Sequence, residues 1–131
     1  MRKPNVDKTT GKYKVIVTRK LPDAVETRLM ELFDTQLNLN DRPLTHDELI
    51  IAVQSAEILV PTVTDKLNAE VINAAKGQLK MIASFGAGVD HLDLSAAAVK
   101  GIIVTNTPDV LTEDTADLTL ALILMTPRRM G

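Results

Sequence analysis

From Tyr13 to Thr105 the chain repeats one arrangement. A short run rich in β-branched residues is followed by an amphipathic stretch with helix-start or helix-stop residues at its ends. Strands that alternate with helical patterns can be joined in register only as parallel neighbours with helical crossovers, so the pattern points to an α/β fold. Lys14 to Thr18 reads as the first strand. Pro22 stands at a helix start, and Val25, Leu29, Leu32 and Phe33 fall on one helical face. Gln36 to Leu39 is a weaker second strand. Thr45 and Glu48 have the spacing of a capping box, ahead of a helix with Leu49, Ile50 and Val53 on its inner face. Glu57 to Val60 is a third strand, and Asn68 caps a helix that carries Val71, Ile72 and Ala75 and stops at Gly77. Lys80 to Ser84 and Ile102 to Thr105 are the fourth and fifth strands, separated by a short helix from Leu94 to Lys100. The expected architecture is a flavodoxin-like parallel sheet of about five strands with flanking helices.

The last element breaks the amphipathic rule. Thr112 is the expected N-cap of a helix reaching Met125, with Glu113, Asp114 and Asp117 near its positive end. From Leu118 to Met125 that helix is apolar nearly all round, which a helix tolerates only when every side is covered. One small sheet cannot cover it, so a further domain or a second copy of the chain is expected there. Pro127 ends or kinks it, and Arg128 and Arg129 sit near its negative end.

Composition excludes several functions. The chain has no cysteine, which removes disulfides, thiolate nucleophiles and sulfur-bound zinc, and fits a reducing, cytoplasmic setting. A formal charge of −2 and three aromatic residues (Tyr13, Phe33, Phe85) give neither a basic footprint nor a stacking platform, so no nucleic-acid partner is expected. The stretch Leu118–Met125 is far below the roughly 18 apolar residues of a membrane span. Met1 to Lys12 is polar and charged and reads as a flexible tail.

In an open parallel sheet ligands gather at the carboxyl ends of the strands. Three loops lie there: Pro61 to Lys66, Phe85 to Asp90 and Asn106 to Leu111. In the second, Gly86 and Gly88 let backbone N–H groups face outward as an anion site that needs no side chain. It is not a dinucleotide fingerprint, because His91 occupies the place of the third glycine of G-x-G-x-x-G. His46, inside the capping box, reads as solvent-facing and structural, and His91 as a polar loop residue. No metal set emerges from two histidines and scattered acids.

Three segments then carry a resemblance to a known family. They are Ala83-Ser-Phe-Gly-Ala-Gly-Val-Asp-His-Leu-Asp93, Ala96-Ala-Ala-Val-Lys-Gly-Ile-Ile-Val-Thr-Asn-Thr-Pro108 and Val110-Leu-Thr-Glu-Asp-Thr-Ala-Asp-Leu118, followed by Arg128-Arg129. Together they resemble the D-isomer-specific 2-hydroxyacid dehydrogenases, in particular the glyoxylate/hydroxypyruvate reductase branch. Val17-Thr-Arg-Lys-Leu-Pro22 is similar to that branch as well. The resemblance implies a substrate-binding domain over residues 13–111 and an interdomain helix over 112–131 leading to a nucleotide-binding domain outside this chain. It implies that the backbone amides of Ala87 and Gly88 hold a substrate carboxylate, that Val63 lines the substrate pocket, and that Thr115 and Ala87 touch NAD or NADP. It places the family's catalytic arginine, glutamate and acid–base histidine beyond Gly131, so no catalytic residue is assigned here and the chain alone is expected to be inactive. Ala87 stands where many members have serine or threonine, so a hydroxyl contact is missing, and Pro127 implies a kinked path. The implied partner is a small 2-oxoacid, and the helix over residues 118–125 is a candidate homodimer surface. The alternative is a stand-alone flavodoxin-like binding or oligomerisation module. Its receiver version is poor, because Arg19-Lys20 and Pro61-Thr62 occupy the places where that chemistry needs acids.

Overall fold

Val15, Ile16 and Val17 form a β-branched run whose side chains alternate between two faces, and both faces are covered. They belong to an interior strand of a computed structural model that describes residues 11–129. The element order is β1 (Lys14–Val17), α1 (Asp23–Leu32), β2 (Asp34–Gln36), α2 (His46–Ser55), β3 (Ile58–Val60), α3 (Ala69–Asn73), β4 (Met81–Ala83), α4 (Leu94–Val99), β5 (Ile103–Thr105) and α5 (Thr112–Met125), ending in a 3-10 turn at Thr126–Arg128. The five strands are all parallel and lie in the order β2-β1-β3-β4-β5. This is the flavodoxin-like order, with its switch point between β1 and β3.

Register places Ile16 beside Leu59, Leu59 beside Ile82, and Ile82 beside Val104. This row meets Leu49 and Val53 of α2, Val71 and Ile72 of α3 and Ala97 of α4 in the main core. Leu59, Val53, Val71, Ile72 and Ile82 have no exposed surface, so truncating Leu59 to alanine costs about 2–5 kcal/mol. Among the described residues the opposite face is covered by α1 and its flanks, where Leu21, Leu29 and Phe33 meet Val15, Val17, Ile58 and Val60.

Local chemistry sets the helix ends as expected in α2 and α3. The Thr45 side chain accepts from the Glu48 N–H while the Glu48 carboxylate accepts from the Thr45 N–H. Asn68 accepts from the Val71 N–H. Gly77 and Gly101 take φ +86 and +68, the left-handed values that follow a helix end.

Elsewhere the structure departs from expectation. In α1, Val25 and Leu32 are exposed and Glu26 is the buried residue, because its carboxylate accepts the Leu21 N–H at 2.9 Å. The second strand runs Asp34–Gln36 rather than Gln36 to Leu39, since Asp34 and Thr35 pair with Lys14 and Val15. Thr112 is the first residue of α5 and not its cap. Leu111 holds the cap position and no side chain bonds there. The tail expected over residues 1–12 lies outside the described residues except for Gly11 and Lys12, and the Lys12 ammonium donates to the Glu31 carbonyl.

Every residue of α5 is exposed, including Leu118, Leu120, Leu122, Ile123 and Leu124. The helix leaves the sheet without packing on it. Among the described residues no helix is long and apolar enough to cross a membrane.

Candidate functional site

The site grows from the loops after β3 and β4. Beyond the strands, these two loops keep pairing: Thr62 bridges to Phe85 and Leu67 to Leu92. The Phe85 N–H donates to the Pro61 carbonyl at 2.8 Å, and the Ser84 N–H to the Thr105 carbonyl at 2.9 Å. The Gly86-Ala87-Gly88 segment therefore starts from a strand end anchored on both sides.

Its carbonyls are tied down as well. Gly86 O accepts from the Thr107 N–H at 3.0 Å, and Ala87 O from the Asn106 side-chain amide at 2.8 Å. The N–H groups of Ala87 and Gly88, by contrast, find no protein acceptor among the described residues. Ala87 is half-buried and Gly88 exposed, so both donors can meet a ligand from solvent. Fixed carbonyls with free amides make a partial positive site suited to a carboxylate.

Two grooves flank this loop. Val63, Lys66, Gly88, Asp90 and His91 line a cleft on one side. On the other side Ala87 lines a mostly apolar groove together with Leu111 and with Thr112, Thr115, Ala116, Thr119 and Leu120 of α5. Val63 and Gly88 thus share one cleft, and Ala87 and Thr115 share the other. The Thr119 hydroxyl is spent on the Thr115 carbonyl at 2.7 Å, whereas the Thr115 hydroxyl has no protein partner among the described residues.

His91 closes the base of the loop. Its Nε2 lies 3.1 Å from the buried Ser84 hydroxyl, and its own carbonyl accepts the Leu67 N–H. Burial pulls the imidazole below its ordinary range, while the Asp65 and Asp90 carboxylates pull the other way. Held by both ends, it is a structural residue. His46 is half-exposed at the start of α2, 3.4 Å from Glu70. Among the described residues no group of acids and histidines could hold a metal ion.

Sequence reasoning missed Asn106, which fixes the Ala87 carbonyl, and Asp65, which is buried at 2% exposure behind the Val63 loop. The Thr62-x-x-Asp65 spacing was the available signal for a side chain closing its own turn.

The profile described as D-isomer specific 2-hydroxyacid dehydrogenase, catalytic domain, matches residues 15–126. The chain belongs to this family. The match contains Val63, Ala87, Gly88 and Thr115. A glyoxylate reductase of Thermococcus onnurineus is 36% identical over 119 residues, covering 91% of this chain and 35% of its own length. A glycerate dehydrogenase of Hyphomicrobium methylovorum is 35% identical over 121 residues, covering 92% and 38%. Among solved structures, a Thermus thermophilus protein superposes with TM-score 0.75 at 47% identity, over 89% of this chain and 37% of that one. An NADPH-dependent glyoxylate/hydroxypyruvate reductase from Sinorhizobium meliloti, in complex with NADP and malonate, superposes with TM-score 0.66 at 34% identity, over 88% and 34%. The chain thus spans little more than a third of the length of the 2-hydroxyacid dehydrogenase relatives it matches.

Proposed function

We propose that this chain is the substrate-binding part of an NAD(P)-dependent 2-hydroxyacid dehydrogenase of the glyoxylate/hydroxypyruvate reductase type, working in the cytoplasm. One observation carries the reading. The free N–H groups of Ala87 and Gly88 stand between a cleft lined by Val63 and an apolar groove that presents the Thr115 hydroxyl. The carboxylate of a small 2-oxoacid accepts from the two amides, and Val63 limits the space beside it. Residues 13–111 form the substrate-binding body, and 112–131 form the segment, opened by the helix Thr112–Met125, that leads toward a nucleotide-binding domain.

The groove fits part of a nicotinamide dinucleotide. It is apolar along Leu111, Ala116 and Leu120, as a ring or ribose edge requires, and Thr115 offers an unspent hydroxyl. No glycine-rich loop at a helix start among the described residues suits the pyrophosphate, so this chain supplies contacts at one end of the cofactor only. When bound, the cofactor supplies the hydride that adds to the C2 carbonyl. The chain's own share is to fix the carboxylate, and so the distance and angle of that carbonyl, through two rigid donors.

Glyoxylate and hydroxypyruvate are the expected substrates, given the relatives named above. The test is oxidation of NADH or NADPH dependent on either acid, by the polypeptide that carries these residues together with a nucleotide-binding domain. Turnover with Gly88→Pro at raised KM supports the reading, and no turnover with any small 2-oxoacid overturns it. The 131-residue chain alone is expected to turn over nothing.

The full exposure of α5 also favours a homodimer, in which residues 118–125 pair with a second copy. Sedimentation tests this: a clean monomer at high micromolar concentration contradicts self-association through α5.

A further inference from the structure

In a sheet of this strand order, the crevice at the β1/β3 switch point is where a ligand is expected. Here a side chain of the protein fills it. Asp65 is 2% exposed, and its Oδ2 accepts from the Thr18 hydroxyl at the end of β1 at 2.5 Å and from the Thr62 N–H just past β3 at 2.8 Å. The Thr62 hydroxyl adds a third contact at 3.3 Å, and the Asp65 N–H donates to the Thr62 carbonyl. Asp65 has no ion-pair partner among the described residues. A buried carboxylate held only by hydroxyl and amide donors is costly to keep, and replacing it removes several bonds at once.

The turn that Asp65 closes has Val63 and Thr64 at its tip. The Thr64 hydroxyl is held by Thr62 at 3.0 Å and by the Arg19 guanidinium at 2.9 Å. Val63 in turn lies so close to Gly86 that a Cβ at position 86 would overlap Val63 Cγ1. A chain of contacts therefore runs from Thr18 through Asp65 and Val63 to the glycine loop.

Resting on the carboxylate site proposed above, we infer that Asp65 is the positioning residue of that site: it locks the Val63 turn against Gly86 and so sets where the Ala87 and Gly88 amides point.

The experiment uses the 131-residue chain, malonate as the probe, and three variants. In wild type, contacts between the Val63 methyls and the Gly86 α-protons are expected in NMR spectra, and malonate shifts the Ala87 and Gly88 amides. Thr18→Val keeps the β-branched shape and the strand but removes one donor to Asp65. It is expected to weaken malonate binding about tenfold, with the melting temperature within a few degrees of wild type. Asp65→Ala is expected to abolish the Val63–Gly86 contacts, and Asp65→Asn, which keeps one acceptor, to restore them in part. If Thr18→Val binds malonate as wild type does, or if Val63–Gly86 contacts persist in a folded Asp65→Ala, the inference is overturned. An unfolded Asp65→Ala leaves the decision to Thr18→Val and Asp65→Asn. Failure of wild type to bind malonate overturns instead the carboxylate site, while the Val63–Gly86 contacts still test the lock.

Discussion

Val63 packs directly on Gly86, leaving no room for a side chain at position 86. The φ of Gly86 is not in the left-handed region, so the demand for glycine there is steric rather than conformational. Gly86→Ala is expected to lower stability by about 1–3 kcal/mol through overpacking. Val63→Ala removes the opposing methyl, so the double variant is expected to recover most of that loss. Urea unfolding of the two single variants and the double variant measures the coupling, and strict additivity would show that the two residues do not meet.

His91 predicts a pH dependence. Burial lowers its pKa in the folded state, against the opposing pull of Asp65 and Asp90. A depressed histidine leaves the unfolded chain binding more protons, so stability is full above the ordinary value of 6.5 and declines as the pH falls through the lower folded value. The melting temperature is expected to drop on mild acidification, and His91→Gln is expected to flatten that part of the curve. An identical slope in the variant would remove His91 from the account.

The start of α2 predicts a second acid window. The Arg42 guanidinium, at 2.5 and 3.0 Å, together with the Thr45 N–H and hydroxyl, holds the Glu48 carboxylate down at about 2. Its contribution is present above the ordinary carboxylate value of 4.5 and lost as the pH falls toward about 2. Glu48→Gln is expected to flatten this acid window and to lower neutral-pH stability by the same small amount, small because the pair is exposed and solvent screens it. Thr45→Ala, which removes the cap itself, is expected to cost about 1 kcal/mol at neutral pH. Thermal unfolding from acid to neutral pH separates the two effects.

What was legible in the sequence follows from range. The Thr45–Glu48 box, the Asn68 cap and the glycine stop at 77 are decided within four or five residues, and each stands where local rules put it. The strand alternation fixed the parallel sheet for the same reason. The short edge strand β2 carried no apolar signal, because only Thr35 of its three residues is even half-buried. In α1 the periodicity of Val25 and Leu32 suggested a core face, but the need of the Leu21 N–H for an acceptor draws Glu26 inward instead. The glycine loop showed in its residues that backbone N–H groups could face outward, and those of Ala87 and Gly88 find no protein acceptor among the described residues. That Thr115 comes round to Ala87, and that Asp65 lies beneath Val63, are consequences of tertiary placement.

The exposed apolar surface of α5 predicts an asymmetry between stability and association. Leu120→Lys and Leu124→Lys replace side chains that are 59% and 68% exposed, so each is expected to change stability by less than about 0.5 kcal/mol. If α5 pairs with a second copy, the same changes are expected to convert a dimer to a monomer in sedimentation. A large loss of stability would show that α5 packs on the body after all.

The central claim is that two backbone amides bind the carboxylate of a 2-oxoacid. It is tested most directly by titrating the isotopically labelled chain with glyoxylate and following every amide resonance. Saturable shifts centred on Ala87 and Gly88, spreading to Val63, are the predicted result. Shifts that never saturate, or that centre elsewhere while Ala87 and Gly88 stay still, would contradict it.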